Sequence, residues 1–192
     1  TRLIMKQYNI NFQDSQIILN KSNDPNLIEH VMMDWEDDLM KGHAKVVCYN
    51  KGDILEFGFG MGISATHIQS YKPKSHTIIE IHPQIIEKAK LWALDKHNVK
   101  IIEGDWFECL DQLDKYDGIF FDTYGDNNFT AFGQIAKTLT KPGAHITWWN
   151  SISKPDNVYG FKDVTYIKYD VDPPKNSYFN DKAYYLPIKI FP

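Results

Sequence analysis

Short apolar runs alternate with longer amphipathic stretches through most of this chain. The runs at 53–57, 76–81, 99–103, 117–122 and Ala144–Trp149 are rich in Ile, Leu, Val and Phe and too short for buried helices, so they read as buried strands. Between them the pattern predicts helices over 63–70, from Pro83 to about Lys96, over 106–113 and over about 127–140, with Lys141-Pro142-Gly143 ending the last one. Upstream, Leu27, Ile28, Val31, Met32, Trp35, Leu39 and Met40 recur at helical spacing behind Asp24-Pro25, a good start signal, and predict one amphipathic helix to about Val47. Weak alternation in 9–12 and 16–19 around Asp14-Ser15 predicts a short hairpin. Near the end, 163–171 and 183–191 are strand-like and joined by Asp172-Pro173-Pro174 and a polar loop, with no room for a long helix. The expected fold class is therefore α/β: a doubly wound, mostly parallel seven-stranded sheet whose edge is closed by an antiparallel C-terminal hairpin. Without repeats or a linker, 1–192 reads as one domain, with 1–47 as a covering segment and helix over a core of 48–192.

The strand at 53–57 runs into Gly58-Phe59-Gly60-Met61-Gly62, and a helix opens at Ile63. Glycine lets the backbone turn sharply and lie directly against a ligand, while a helix start presents free N–H groups and a positive end. In doubly wound sheets ligands bind at the carboxyl ends of the strands, and three acidic residues fall there. Glu80 ends the second strand at the place where such sheets hold both ribose hydroxyls of an adenosine ligand. Asp105 ends the third strand and could take the exocyclic amine of an adenine, with the Trp106 backbone N–H on a ring nitrogen. Asp122 ends the fourth strand after Phe120-Phe121, where an unpaired buried charge is costly, so it is expected to face the cleft.

Composition narrows the partners. At 192 residues with a net charge of −4, no basic arm and a pI near 5.9, the chain is not built to bind nucleic acid through phosphates. It has no long apolar span and no signal peptide, which predicts a cytoplasmic protein without a membrane partner. Cys48 and Cys109 lack the spacing of a disulfide framework or zinc site, and the seven histidines form no ligand pair, so no metal is expected.

Several segments together are more specific than any glycine loop. Val31-Met32-Met33-Asp34-Trp35-Glu36, Gly58-Phe59-Gly60-Met61-Gly62-Ile63, Ile79-Glu80-Ile81-His82-Pro83 and the run Tyr116 to Tyr124 resemble the guanidinoacetate N-methyltransferase and arginine δ-N-methyltransferase family, within the class I S-adenosylmethionine-dependent methyltransferases of Rossmann-like fold. The likeness covers about residues 28–150, and the tail from Asp172-Pro173-Pro174 to Tyr184-Tyr185-Leu186-Pro187 also looks like the closing strands of that family. It implies S-adenosyl-L-methionine as cofactor. Met32 and Met40 would line it, Glu56, Gly58 and the stretch Phe59, Gly60, Met61, Gly62, Ile63, Ser64 would cradle its methionine part, Glu80 with Ile81 and His82 would hold the ribose, and Asp105 and Trp106 the adenine. Glu36 and Asp122 would bind and activate a guanidino group, with Tyr124 nearby and Ser151 and Ile152 at the substrate's other end.

The implied chemistry suits that acid pair. A guanidinium, with a pKa above about 12, arrives charged and must approach a sulfonium that is also positive. Two carboxylates offset the repulsion, hold the planar fork by paired hydrogen bonds, and one of them, Asp122, takes the proton. The segments 122–141 and 149–163 are shorter than in the family, so a small guanidino compound, a peptidyl arginine or another amine stay open as acceptors. Two other classes share the strand–glycine–helix unit: a non-catalytic binding or regulatory protein, and a nicotinamide oxidoreductase, for which the third glycine falls one position early.

Overall fold

In the computed structural model, residues 9–20, 28–126 and 128–192 are described. The core is a seven-stranded sheet. Its strands are β4 (Asp53–Phe57), β5 (Ser75–Glu80), β6 (Val99–Glu103), β7 (Tyr116–Phe121), β8 (Thr140–Trp148), β9 (Val164–Asp170) and β10 (Ala183–Ile190), in the order β6-β5-β4-β7-β8-β10-β9. From β6 to β8 the strands are parallel; β10 runs antiparallel to both β8 and β9. The predicted sheet and closing hairpin are both present. The helices are α1 (Asp37–Val47), α2 (Ile63–Ser70), α3 (Pro83–Ala93) and the short α4 (Phe132–Ile135).

Period-two alternation sorts the strand side chains onto two faces. Leu55 and Phe57 join Ile119, Phe121, Ile146 and Trp148 in an aromatic-rich core closed by Trp106 and Phe132. Ile54 and Phe120 point the other way, against Met40, Ala44 and Val47 of α1 and Ile68 of α2. Gly118 interrupts β7 because α1 lies so close: a Cβ there would sit 2.0 Å from the Val47 carbonyl oxygen.

A second sheet, β1 (Asn9–Gln13), β2 (Gln16–Asn20) and β3 (Ile28–Met33), is antiparallel throughout. The expected hairpin is its first two strands. Ile10, Ile17 and Leu19 pack on Phe59, Ile78 and Ile85, so this small sheet roofs the glycine loop and the start of α3. The Ile10 N–H donates to Gln84 Oε1 at 2.9 Å, and the Asp34 N–H to the Ser15 carbonyl at 2.9 Å.

Four sequence expectations need correction. The long helix to Val47 begins only at Asp37. Its expected start at 24–27 lies outside the described residues, and 28–33 form β3, followed by a 3-10 turn at Asp34–Glu36. Apolar spacing there fits either period, and pairing with β2 satisfies the backbone of a stretch containing Ile28 and Val31, which favour strands. The helix over 106–113 shrinks to a 3-10 turn at Leu110–Gln112, because the Asp105 carbonyl accepts both Glu108 N–H and Cys109 N–H and spends the first turn on a tight bend. The helix over 127–140, apart from Asn127, which is not among the described residues, is one α turn between two 3-10 turns. Gly133 is pressed so near the Tyr159 carbonyl that a Cβ would lie 2.4 Å from it. Finally, Lys141-Pro142-Gly143 does not precede the fifth strand but lies within it, as an irregularity between the Tyr116↔Thr140 and Gly118↔His145 pairs. No described helix is long and apolar enough to cross a membrane.

Candidate active site

The cleft opens at the carboxyl ends of β4, β5, β6 and β7. Gly58 and Gly60 take positive φ, 84° and 54°. A Cβ on Gly58 would fall 2.3 Å from the Asp122 carbonyl oxygen, and one on Gly60 2.8 Å from the Met32 sulfur, so any side chain would close the loop. Met32 in turn accepts the Met61 N–H on its Sδ at 3.2 Å. Gly62, also left-handed, is the N-cap of α2.

Glu80, buried at the end of β5, is held on both oxygens by backbone. Its Oε2 accepts the Phe59 N–H at 2.9 Å, and its Oε1 accepts those of Ile81 and His82 at 2.7 and 2.8 Å. The carboxylate thus staples the glycine loop to the start of α3. Asp105, also buried, caps the Phe107 N–H at 2.9 Å, while the Trp106 indole donates to Asp126, which also accepts from Thr123 Oγ1 at 3.2 Å.

The other end of the cleft differs. Asp122 lies just past β7, its N–H bonded to the Phe57 carbonyl at 3.2 Å, and its carboxyl has no hydrogen-bond or ion-pair partner among the described residues. Burial, then the nearby charge of Glu56, pushes it up to about 7. Glu36, on the 3-10 turn before α1, is buried and pushed up to about 8, chiefly by desolvation and further by Asp122, against hydrogen bonds from Tyr178 and Met33 that lower it. Its Oε1 accepts the Met33 N–H at 3.0 Å and the Tyr178 hydroxyl. The charge of Asp122 acts on Glu36, so two acids from distant segments lie near one another, with no cation paired to either among the described residues; Asp122 is half-buried and lines the cleft, whereas Glu36 is buried beside it and does not. The Trp35 indole N–H beside them is buried without an acceptor among the described residues.

Behind this site a buried chain fixes the geometry. Thr147 donates its hydroxyl proton to the Pro187 carbonyl at 2.6 Å, so its oxygen accepts from His43 Nδ1 at 2.7 Å. His43 Nε2 must then accept from the Tyr184 hydroxyl at 2.9 Å, which itself accepts the Asn150 N–H at 3.0 Å. Burial keeps His43 neutral, lowered to about 3.

Of the residues singled out in the sequence, Met32, Gly58, Phe59, Gly60, Ser64, Glu80, Ile81, His82, Asp105, Trp106, Asp122 and Tyr124 line the cleft. Met40 does not; it is fully buried with Met32 in the core under α1. Glu56 is also fully buried, accepting from Ser64 Oγ and paired with His76 Nε2 at 2.8 Å, beneath the loop rather than in the cleft. Met61, Gly62 and Ile63 form the loop's far side, and Ser151 is exposed with Ile152 half-buried, neither of them lining the cleft. Sequence reasoning missed Ile10 and Leu19 on the roof, Asp126 and Tyr178. The Tyr178-Phe179 pair inside a polar loop was a usable signal for the last.

Comparison with known proteins agrees with this architecture. Spermidine synthase from Thermotoga maritima superposes with a TM-score of 0.67 at 13% identity, covering 95% of this chain and 72% of that one. An O-methyltransferase from Bacillus cereus, solved in complex with SAH, gives 0.61 at 14% identity and 81% of each chain. The fold is that of the Rossmann-like methyltransferases. At the level of sequence, residues 7–166 match guanidinoacetate N-methyltransferase, and the chain belongs to that family. It is 31% identical to Protein arginine N-methyltransferase 2 of Saccharomyces cerevisiae, over 93% of this chain and 50% of that protein, and 33% identical to its namesake in Candida glabrata, over 82% and 46%. The chain thus spans about half the length of the curated relatives it matches.

Proposed function

We propose that this chain is the catalytic part of an S-adenosylmethionine-dependent N-methyltransferase whose acceptor is a guanidino group, on a small molecule or on arginine. The observation that carries the acceptor is the Glu36–Asp122 pair: two shielded acids with no counter-charge, both raised above the usual carboxylate range. A desolvated acid without a counter-charge is costly unless a cation arrives. A pair of acids suits a guanidinium, a planar cation that donates in two directions at once.

The cleft residues fit the cofactor. Gly58 and Gly60 leave backbone bare where the methionine part would lie, Glu80 stands where ribose hydroxyls would meet it, and Asp105 with the Trp106 backbone borders the adenine end. When bound, the cofactor supplies a methyl group on a cationic sulfur. Glu36 and Asp122 hold the guanidinium in line, offset the repulsion between two cations, and Asp122 takes the proton the attacking nitrogen sheds on methylation. Of the covering segment expected over 1–47, residues 9–20 and 28–36 would serve that role, with β1–β3 over the cofactor end and Glu36 at the acceptor end, while Asp37–Val47 belongs to the core.

Names borne by the relatives support arginine as the acceptor. The test is transfer of labelled methyl to guanidinoacetate, free arginine and an arginine peptide, with calorimetry of S-adenosylhomocysteine against NAD. Binding of the former with transfer to at least one guanidine is expected. Binding without any transfer would leave a regulatory protein, and preference for NAD would remove the methyltransferase reading altogether.

A further inference from the structure

The connection between β9 and β10 carries a feature that the acid pair alone does not require. Residues 171–182 form a compact loop: the Val171 N–H donates to the Lys182 carbonyl at 3.0 Å, Lys182 pairs with Asp172 across the neck, and the Ser177 N–H donates to the Pro174 carbonyl at 2.9 Å. Phe179 plugs the loop into the protein, buried against Trp35, Trp149 and Tyr184, and its N–H is capped by Ser177 Oγ at 3.1 Å. This plug delivers Tyr178, packed edge-on against Trp149 with centroids 6.1 Å apart, so that its hydroxyl reaches Glu36 Oε1.

We propose that Tyr178 is a positioning residue of the acceptor site, its hydroxyl and the Met33 N–H clamping one oxygen of Glu36 so that the other oxygen is presented to the substrate guanidinium. The inference rests on the guanidine reading of the site. Its geometric basis is the division of labour within one carboxylate: Oε1 accepts twice, whereas no described residue donates to Oε2. A buried carboxylate on a short 3-10 turn would otherwise rotate about its last torsion, which is broad and nearly two-fold. Two donors on one oxygen remove that freedom, and a guanidinium held by a fixed fork is kept in the near-attack geometry that transfer requires.

Tyr178→Phe keeps the ring and removes only the donor. With the full chain, an arginine peptide or guanidinoacetate as acceptor, and S-adenosylmethionine saturating, KM for the acceptor is expected to rise about tenfold or more, the scale for losing a hydrogen bond to a charged group. Affinity for S-adenosylhomocysteine should stay at the wild-type value, which a tyrosine needed for the integrity of the whole cleft would not allow. A second readout needs no turnover. In a carbon-13 titration of the Glu36 carboxyl, which is faced by Tyr178, Asp122 and Tyr184, loss of the donor should move the midpoint upward. An unchanged KM together with an unchanged Glu36 midpoint overturns the proposal while leaving the guanidine reading intact. Wild-type protein that methylates no guanidine overturns both, and is recognised before the variant is made.

Discussion

Three acids in and beside the cleft follow two opposite designs. Glu80 accepts three backbone N–H groups before any ligand is present, so its charge is already stabilised and its position fixed. Asp122 accepts none among the described residues, and Glu36 uses one oxygen only. The first arrangement is a preformed receptor, its carboxylate already oriented by backbone before a ligand arrives. The second is unbalanced, and lowest in free energy when a cation occupies it. On the proposed function, a cleft built this way would hold its nucleoside end rigid and let the acceptor's charge complete the other end.

The largest expected effect falls on the unbalanced side. Asp122→Asn keeps shape but removes the charge and the proton acceptor, so turnover should drop by about 10²–10⁴-fold with cofactor affinity nearly unchanged, checked by steady-state kinetics beside calorimetry. If both fall together, the two halves are not separable. Next comes the preformed side: Glu80→Ala should weaken S-adenosylhomocysteine by about 1.5–3 kcal/mol, since it removes charged hydrogen bonds and loosens the Phe59 and His82 backbone. Wild-type affinity there would refute the ribose assignment.

A third prediction uses pH. Glu36 titrates near 8 in the folded protein, above the ordinary carboxylate value, so the native state holds a proton that the unfolded state has released. The unliganded protein should therefore lose stability as pH rises from about 5 towards 8, by up to about 1.4 kcal/mol per pH unit for this one group. Glu36→Gln should flatten that slope in thermal melts, and a bound guanidinium should do the same in wild-type protein. The smallest effect belongs outside the cleft. Lys141 bridges Asp53 and Asp117 at the opposite ends of the strands, at 2.5 and 2.7 Å, but is partly solvated. Lys141→Met should cost no more than about 1 kcal/mol and leave KM and turnover alone. A large kinetic change would mean that the strand ends communicate through the sheet.

The same contrast explains what could be read from the sequence. The nucleoside half is local: strand, glycines, helix start and a strand-end acid lie in order between residues 53 and 82, and each carries its own backbone requirement. The sheet was legible for the same reason, because buried parallel strands announce themselves as short apolar runs. The acceptor half is assembled from Glu36, Asp122 and Tyr178, which no local periodicity connects. Its acids could be named through family resemblance, but the tyrosine could not. The 28–47 stretch failed where two periods competed, since Ile28, Val31, Met32 and Trp35 fit a helix and a strand equally until β2 supplied a partner. Met40 and Glu56, which the family resemblance implied at the cofactor, are fully buried and do not line the cleft, because a motif match gives a residue's place in the chain and not its depth.

The position of β10 bears on how the molecule comes to exist. It lies between β8 and β9, so in the described pairings β9 joins the sheet only through a strand that follows it in sequence. The hairpin must therefore form and dock as a unit, late and through contacts distant along the chain, which are the slow ones to close. Glu36 receives its tyrosine only at that step. During synthesis or refolding, the glycine-loop end can take shape before the tail docks, and on the proposed function the ability to hold a guanidinium would be the last property the chain acquires.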